Sequence, residues 1–238
     1  MSAGGEAFLD SHGTYIQPVA LTAHTALLVV DMQIHDARPD GAFNVAMERL
    51  QPGSMAYFND RTERVVVPAI GRLLQAWRTR DRPVVHLRLG SQYPDYRDFP
   101  PNYRAWIKAI EDASGVREIF YAGSPDFQIR PELAPVDGEW VVDKLTYGAF
   151  NSSNLDRVAR AAGFTGFVVA GISTNCCVES TVRGAAERGY ECVVVDEATA
   201  DYDESAHLAS LRALAVNHAR VVRSVDEVLA AVDSGTPM

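Results

Sequence analysis

The chain has 238 residues, 47% hydrophobic and 22% charged, with 31 acidic against 22 basic side chains and a net charge of −9. That length suffices for one large domain with a sizeable core, and residues 1–238 are read as a single domain. The acid excess repels phosphate backbones and argues against nucleic acid as a partner. No apolar run approaches the about 18 residues that a membrane span needs. The N-terminal stretch has neither a basic nor an apolar region of the kind a secretory signal carries, and residues 1–20 read as an arm. The chain has three cysteines. They lack framework spacing, which fits a reducing cytoplasm rather than disulfide stapling.

In chain order, ALLVVDMQ over 26–33 is an apolar run closed by an acid, the pattern of a central parallel strand. Residues 62–80 show helical spacing in Val66, Ile70, Leu73, Leu74 and Trp77, and PVVHLRL follows as a short strand. Residues 90–138 are rich in Pro, Tyr, Arg and Asp and read as a long irregular section. Its aromatics, Tyr93 to Trp106, suit a pocket lid or a subunit contact. EWVVDK is a strand ending near Lys144, and 152–162 a helix. TGFVVAG is a strand, 175–188 a helix closed by Gly189, and ECVVVDEA another strand. A helix over 204–217, the short strand ARVVRS and a helix over 225–233 complete the chain. Alternating strands and helices predict a mainly parallel six-stranded sheet with helices on both faces.

In such a sheet, ligands sit beyond the carboxyl ends of the strands. Asp31, Lys144 and Cys177 occupy three of those ends. Cys177 stands where a strand turns into a helix, with Thr174 and Asn175 as expected caps. The helix dipole there favours thiolate over thiol. The same position also suits a thiol packed under the sheet. If the three groups meet, Asp31 takes the proton of Cys177 and later delivers it to a leaving amine, while Lys144 balances the charge.

Three blocks in this order, ALLVVDMQ, DKLTYGAFNSSNL and VVAGISTNCCVESTVRGAAERGYE, resemble the isochorismatase-like cysteine hydrolase family over roughly residues 22–225. The resemblance implies a Rossmann-like three-layer αβα sandwich. It implies Asp31 as general base and acid, Lys144 as its partner and Cys177 as nucleophile. It also implies a cis peptide between Ile172 and Ser173, with the amides of Ser173 and Cys177 as oxyanion donors, and a packing role for Cys176. Members with a related ESTVRGAAERGYE stretch cleave linear ureido or amide C–N bonds, which implies a small amide, ureido or N-carbamoyl substrate. Hydrolysis of an ester or cyclic imide, and a non-catalytic relic pocket, are the alternatives. Homo-oligomers, dimer or tetramer, are common in the family.

HLRLGSQYPDYRD lacks the Asp-x-His pair of the family's metal-dependent nicotinamidases, and the six histidines show no ligand spacing, so neither metal nor cofactor is expected. His86 reads as a core or rim histidine. Gln33, Tyr147, Phe150 and Asn175 neighbour the three strand-end residues and are candidate pocket lining; Tyr147 and Phe150 equally suit the core. A substrate carboxylate would call for an arginine. Arg88 is the first candidate, nearest a strand end, ahead of Arg97 and Arg104.

Overall fold

Strand β1 (Thr25–Val30) is shut off from solvent along its whole length, as a Leu/Val run in the middle of a parallel sheet must be. A computed structural model of the chain describes residues 18–238. Beside β1 lie β2 (Val84–Leu89), β3 (Trp140–Lys144), β4 (Gly166–Ile172), β5 (Glu191–Ala200) and β6 (Arg220–Val222), in the spatial order β3-β2-β1-β4-β5-β6. Every pairing is parallel. The sheet and its alternation with helices agree with the sequence reading. After β1 the chain builds outward through β2 and β3, then returns to the other side of β1. The order therefore reverses between β1 and β4, where a crevice opens at the carboxyl ends.

The helices are α1 (Ile34–Ala37), α2 (Ala42–Leu50), α3 (Ala56–Arg61), α4 (Val67–Arg78), α5 (Pro101–Ser114), α6 (Ala149–Ser152), α7 (Leu155–Ala161), α8 (Glu179–Ala186), α9 (Glu204–Asn217) and α10 (Val225–Ser234). The helix expected over 62–80 begins earlier, in α3, and runs through a π-helical turn at Thr62–Val66 into α4. The main correction concerns 90–138, where α5 interrupts the expected irregular section. Pro101 opens α5 in the first turn, where its missing N–H costs nothing, and Gly115 closes it in the left-handed conformation. Tyr103, Ile107 and Ile110 are buried along one face. Tyr96, Phe99, Tyr103 and Trp106 stack in succession, with centroids 5.6, 4.8 and 5.5 Å apart.

Of the arm expected over 1–20, residues 1–17 lie outside those described. Val19 exchanges two backbone hydrogen bonds with Met238, at 3.0 and 2.9 Å. Among the described residues, no helix is long and apolar enough to cross a membrane.

Candidate active site

Asp31 follows β1 with φ of 50°, a left-handed conformation that a non-glycine residue adopts at a cost and that concentrates at functional sites. Its N–H donates to the Leu87 carbonyl of β2. On the other side of the crevice, the penultimate residue of β4 is Gly171, whose φ of 115° and close approach to Val30 exclude a side chain. The next peptide, Ile172–Ser173, is cis. A π-helical turn, Thr174–Val178, then carries Cys177 into α8. Cys176 and Val178 both donate their N–H to the Ser173 carbonyl at 3.2 Å, which winds the turn tightly around Cys177.

Lys144, at the end of β3, brings the two sides together. Its Nζ lies 2.8 Å from Asp31 Oδ2, 3.3 Å from Cys177 Sγ and 3.0 Å from the Thr146 carbonyl. The ammonium donates hydrogen bonds to Cys177 and the Thr146 carbonyl and faces Asp31 as its ion-pair partner. Burial alone would drive this amine down, but Asp31 and Cys177 more than offset that and hold it above the ordinary lysine value. The Cys177 thiol is pushed well up, first by burial and then by Asp31, with Lys144 opposing. Burial and a neighbouring acid thus oppose the thiolate that the strand–helix junction is expected to favour.

The other expected site residues separate. Gln33 is fully buried, and its amide is spent on backbone: it accepts from Leu89 N–H at 2.6 Å and donates to the Phe127 and Leu89 carbonyls at 2.8 and 3.3 Å. It pins the ends of β1 and β2 rather than facing a ligand. Arg88 pairs in register with Asp143, closes two hydrogen bonds to it at 2.7 and 3.1 Å, and lies over the Phe127 ring. Since side chains alternate along a strand, Arg88 and Asp143 point away from the face that Leu89 and Lys144 share. Arg97 is taken by Asp95. Tyr147 is half exposed beside Tyr103, with ring centroids 5.2 Å apart, and burial raises its hydroxyl above the ordinary tyrosine value. Phe150 belongs to the core, against Phe167 and Tyr190.

Asn175 is exposed and gives its N–H to Asp201. Neither it nor Thr174 caps the turn: Ser173 holds that position without a side-chain bond. The Thr174 hydroxyl meets His207 Nδ1 at 2.8 Å instead. His86 is buried with Nε2 3.0 Å from Glu139. Cys176 packs against the core. All three cysteines are free thiols. No group of three or more His, Cys, Asp or Glu side chains among the described residues could hold a metal ion.

Residues that sequence reasoning missed complete the surroundings. Asp36, in α1, is buried and accepts hydrogen bonds from the Tyr202 hydroxyl at 3.3 and 3.4 Å. Tyr103, Phe120 and Phe43 form an aromatic series reaching Tyr202, and Trp106 flanks Tyr103 and Phe43. Only the VVDMQIHD order hinted at Asp36; Tyr202 comes from a distant segment and had no local signal, whereas Tyr103 lies in the aromatic stretch expected to form a lid or a subunit contact.

Residues 25–227 match the isochorismatase domain family. The chain belongs to the isochorismatase family. It is a hydrolase of that family, and the sequence-level resemblance agrees. Among curated relatives, a ureidoacrylate amidohydrolase of Variovorax paradoxus is 33% identical over 190 residues, 77% of this chain and 71% of the relative. A cysteine hydrolase from Pseudomonas syringae pv. phaseolicola superposes with a TM-score of 0.75 at 26% identity, over 93% of this chain and all of that one. An N-carbamoylsarcosine amidase from Thermoplasma acidophilum gives 0.61 at 25% identity, over 84% and 95%.

Proposed function

We propose that this isochorismatase-family hydrolase is a cysteine amidohydrolase that cleaves a linear C–N bond in a small amide, ureido or N-carbamoyl substrate and releases ammonia. The carrying observation is the Lys144 ammonium seated between Asp31 and Cys177 at the switch point of the sheet. The resemblance to the Variovorax ureidoacrylate amidohydrolase and the Thermoplasma N-carbamoylsarcosine amidase supports the bond type.

In this reading Cys177 is a thiol at rest. Asp31 takes its proton as sulfur adds to the substrate carbonyl carbon. The oxyanion is met by the backbone N–H groups of Ser173 and Cys177, each such donor contributing about 3–4 kcal/mol in acyl transfer. Asp31 passes the proton to the leaving nitrogen, the C–N bond breaks, and ammonia departs from a thioester. Water then adds to the thioester and gives a proton to Asp31. Collapse expels the sulfur, which recovers that proton as the acid product leaves. Lys144 balances the charge that moves between Asp31 and Cys177 and stays protonated throughout.

The test is ammonia release from a panel of primary amides and ureides. Wild type turns over at least one member, and Cys177→Ala and Cys177→Ser lose about ten-thousand-fold while keeping their circular dichroism. Undiminished activity in Cys177→Ala overturns the proposal.

A further inference from the structure

Asp36 is a buried carboxylate whose charge is not balanced. Among the described residues it forms no ion pair, and its only side-chain partner is the Tyr202 hydroxyl. Its backbone is held in place: Asn44 Nδ2 donates to its carbonyl at 2.6 Å, and the preceding turn is pinned through Gln33. A carboxylate kept out of water without a cation is costly, so a fold that retains one has either protonated it or left it for a ligand. Burial, and then Asp31, raise Asp36 to about 7, so both forms are populated near neutral pH.

The surroundings favour a cationic ligand. Tyr202 touches the carboxylate through its hydroxyl, and its ring packs against Phe43, from which Phe120, Tyr103 and Trp106 continue an aromatic series; aromatic faces attract positive charge. Several arginines that could have clamped an anion are committed elsewhere, Arg88 to Asp143, Arg97 to Asp95, Arg61 to Asp196 and Arg130 to Glu63 and Glu132; Arg104, exposed on α5, forms no ion pair among the described residues. Lys144 is engaged by Asp31 and Cys177.

We propose that Asp36 is the specificity-determining residue of this site and binds a protonated amine or amidine on the substrate, away from the scissile carbonyl. The proposal rests on the amidohydrolase reading and narrows its substrate class to cationic amides, against those that carry a carboxylate. Binding the cation holds Asp36 ionised, so selectivity rises with pH. The charged and titratable groups facing Asp36 are Asp31 from β1, Lys144 from β3, Asp201 and Tyr202 after β5, Cys176 in the nucleophile turn and Tyr103 from α5.

The experiment compares probes of matched size and different charge. Aminoethyl, methyl and sulfonatoethyl methanethiosulfonate are reacted with the intact protein, and modification of Cys177 is followed by peptide mass spectrometry. In parallel, ammonia is measured from γ-aminobutyramide, butyramide and succinamate. Wild type prefers the cation to the anion by about 10- to 100-fold, the effect of one charge-assisted contact. The cation-to-neutral labelling ratio, from which thiol ionisation cancels, climbs as pH passes about 7. In Asp36→Asn the ratio falls to near unity and loses its pH dependence.

Preference for the anion in wild type, a flat pH profile, or an unchanged ratio in a folded Asp36→Asn overturns the proposal. The wild-type measurements decide the matter if the variant fails to fold. Ammonia release without cation preference sinks this inference and leaves the amidohydrolase reading. Cation-selective labelling with no ammonia from any amide does the reverse. No labelling of Cys177 by any reagent removes both.

Discussion

Lys144 Nζ lies 2.8 Å from Asp31 Oδ2 although neither side chain is open to solvent. Removing one partner of such a pair strands the other charge, which costs about 3–5 kcal/mol, whereas replacing both with neutral groups costs far less. Lys144→Met is therefore expected to lower stability by about that amount. Asp31→Asn combined with Lys144→Met recovers most of the loss without recovering turnover. Urea unfolding of the two variants checks this, and additive losses in the double variant would contradict it.

The Cys177 thiol is held up by burial and by Asp31, in that order, against the pull of Lys144. At neutral pH the resting enzyme then shows no more thiolate absorbance in the ultraviolet than Cys177→Ser does, and the difference emerges only on the alkaline side. Asp31→Asn removes the repelling acid and leaves Lys144, so its thiolate appears at lower pH than in wild type. A thiolate already present in wild type at neutral pH would mean that the helix dipole outweighs desolvation after all.

The parallel sheet was legible because buried strands are apolar without interruption: ALLVV, FVVAG and CVVV have no other stable place. The convergence of Asp31, Lys144 and Cys177 followed from topology, since all three end strands. What stayed hidden depends on where side chains point. Arg88 looked available as an anion clamp, but its strand aims it at Asp143 on the other face. Gln33 adjoins the site in sequence, yet its amide is consumed by backbone at Leu89 and Phe127. The α5 helix was masked by Pro, Tyr and Arg, residues that also make loops, and only the stacking of Tyr96, Phe99, Tyr103 and Trp106 explains their spacing.

Gly171 brings the end of β4 close against Val30 of β1. A Cβ there would stand 2.1 Å from the Val30 carbonyl oxygen and 2.6 Å from its nitrogen, at φ of 115°. Gly189 has φ of 86° with no atom within 4 Å of the same position. Gly189→Ala is expected to cost about 1–2 kcal/mol, the price of the left-handed backbone alone. Gly171→Ala adds an overpacking cost of about 1–3 kcal/mol and displaces Asp31 from Cys177, so its activity falls further than its stability. Equal costs for the two variants would show that β1 yields freely.

Thr174 Oγ1 and His207 Nδ1 lie 2.8 Å apart, and His207 Nε2 lies 2.8 Å from Asp196, which Arg61 also holds at 2.7 Å. This chain ties the nucleophile turn to α9 and β5. Thr174 is a positioning residue: it touches no reacting atom but fixes the turn that carries Cys177. Thr174→Val is expected to lower kcat about tenfold to a hundredfold, the range of a small misplacement of a reacting group, with KM little changed. Thr174→Ser restores the hydroxyl and most of kcat. A rise in KM alone, or no rescue by serine, would place Thr174 in another role.

Asp36 also makes stability depend on pH with a definite sign. Its carboxyl is raised from 3.8 to about 7 in the folded protein, chiefly by burial and then by Asp31. Between those values the native state holds a proton that the unfolded chain has released. Stability from this group is thus complete below the unfolded value and is lost as pH rises through about 7. His35 acts oppositely: burial lowers it from 6.5 to about 3, so its contribution is lost as pH falls below the unfolded value. Comparing wild type with Asp36→Asn cancels the histidine. The variant gains relative to wild type from pH 4 to pH 8, by on the order of 4 kcal/mol at most. Denaturant unfolding at several pH values measures it, and a difference that stays constant or shrinks toward alkaline pH would show that Asp36 is not held protonated by the fold.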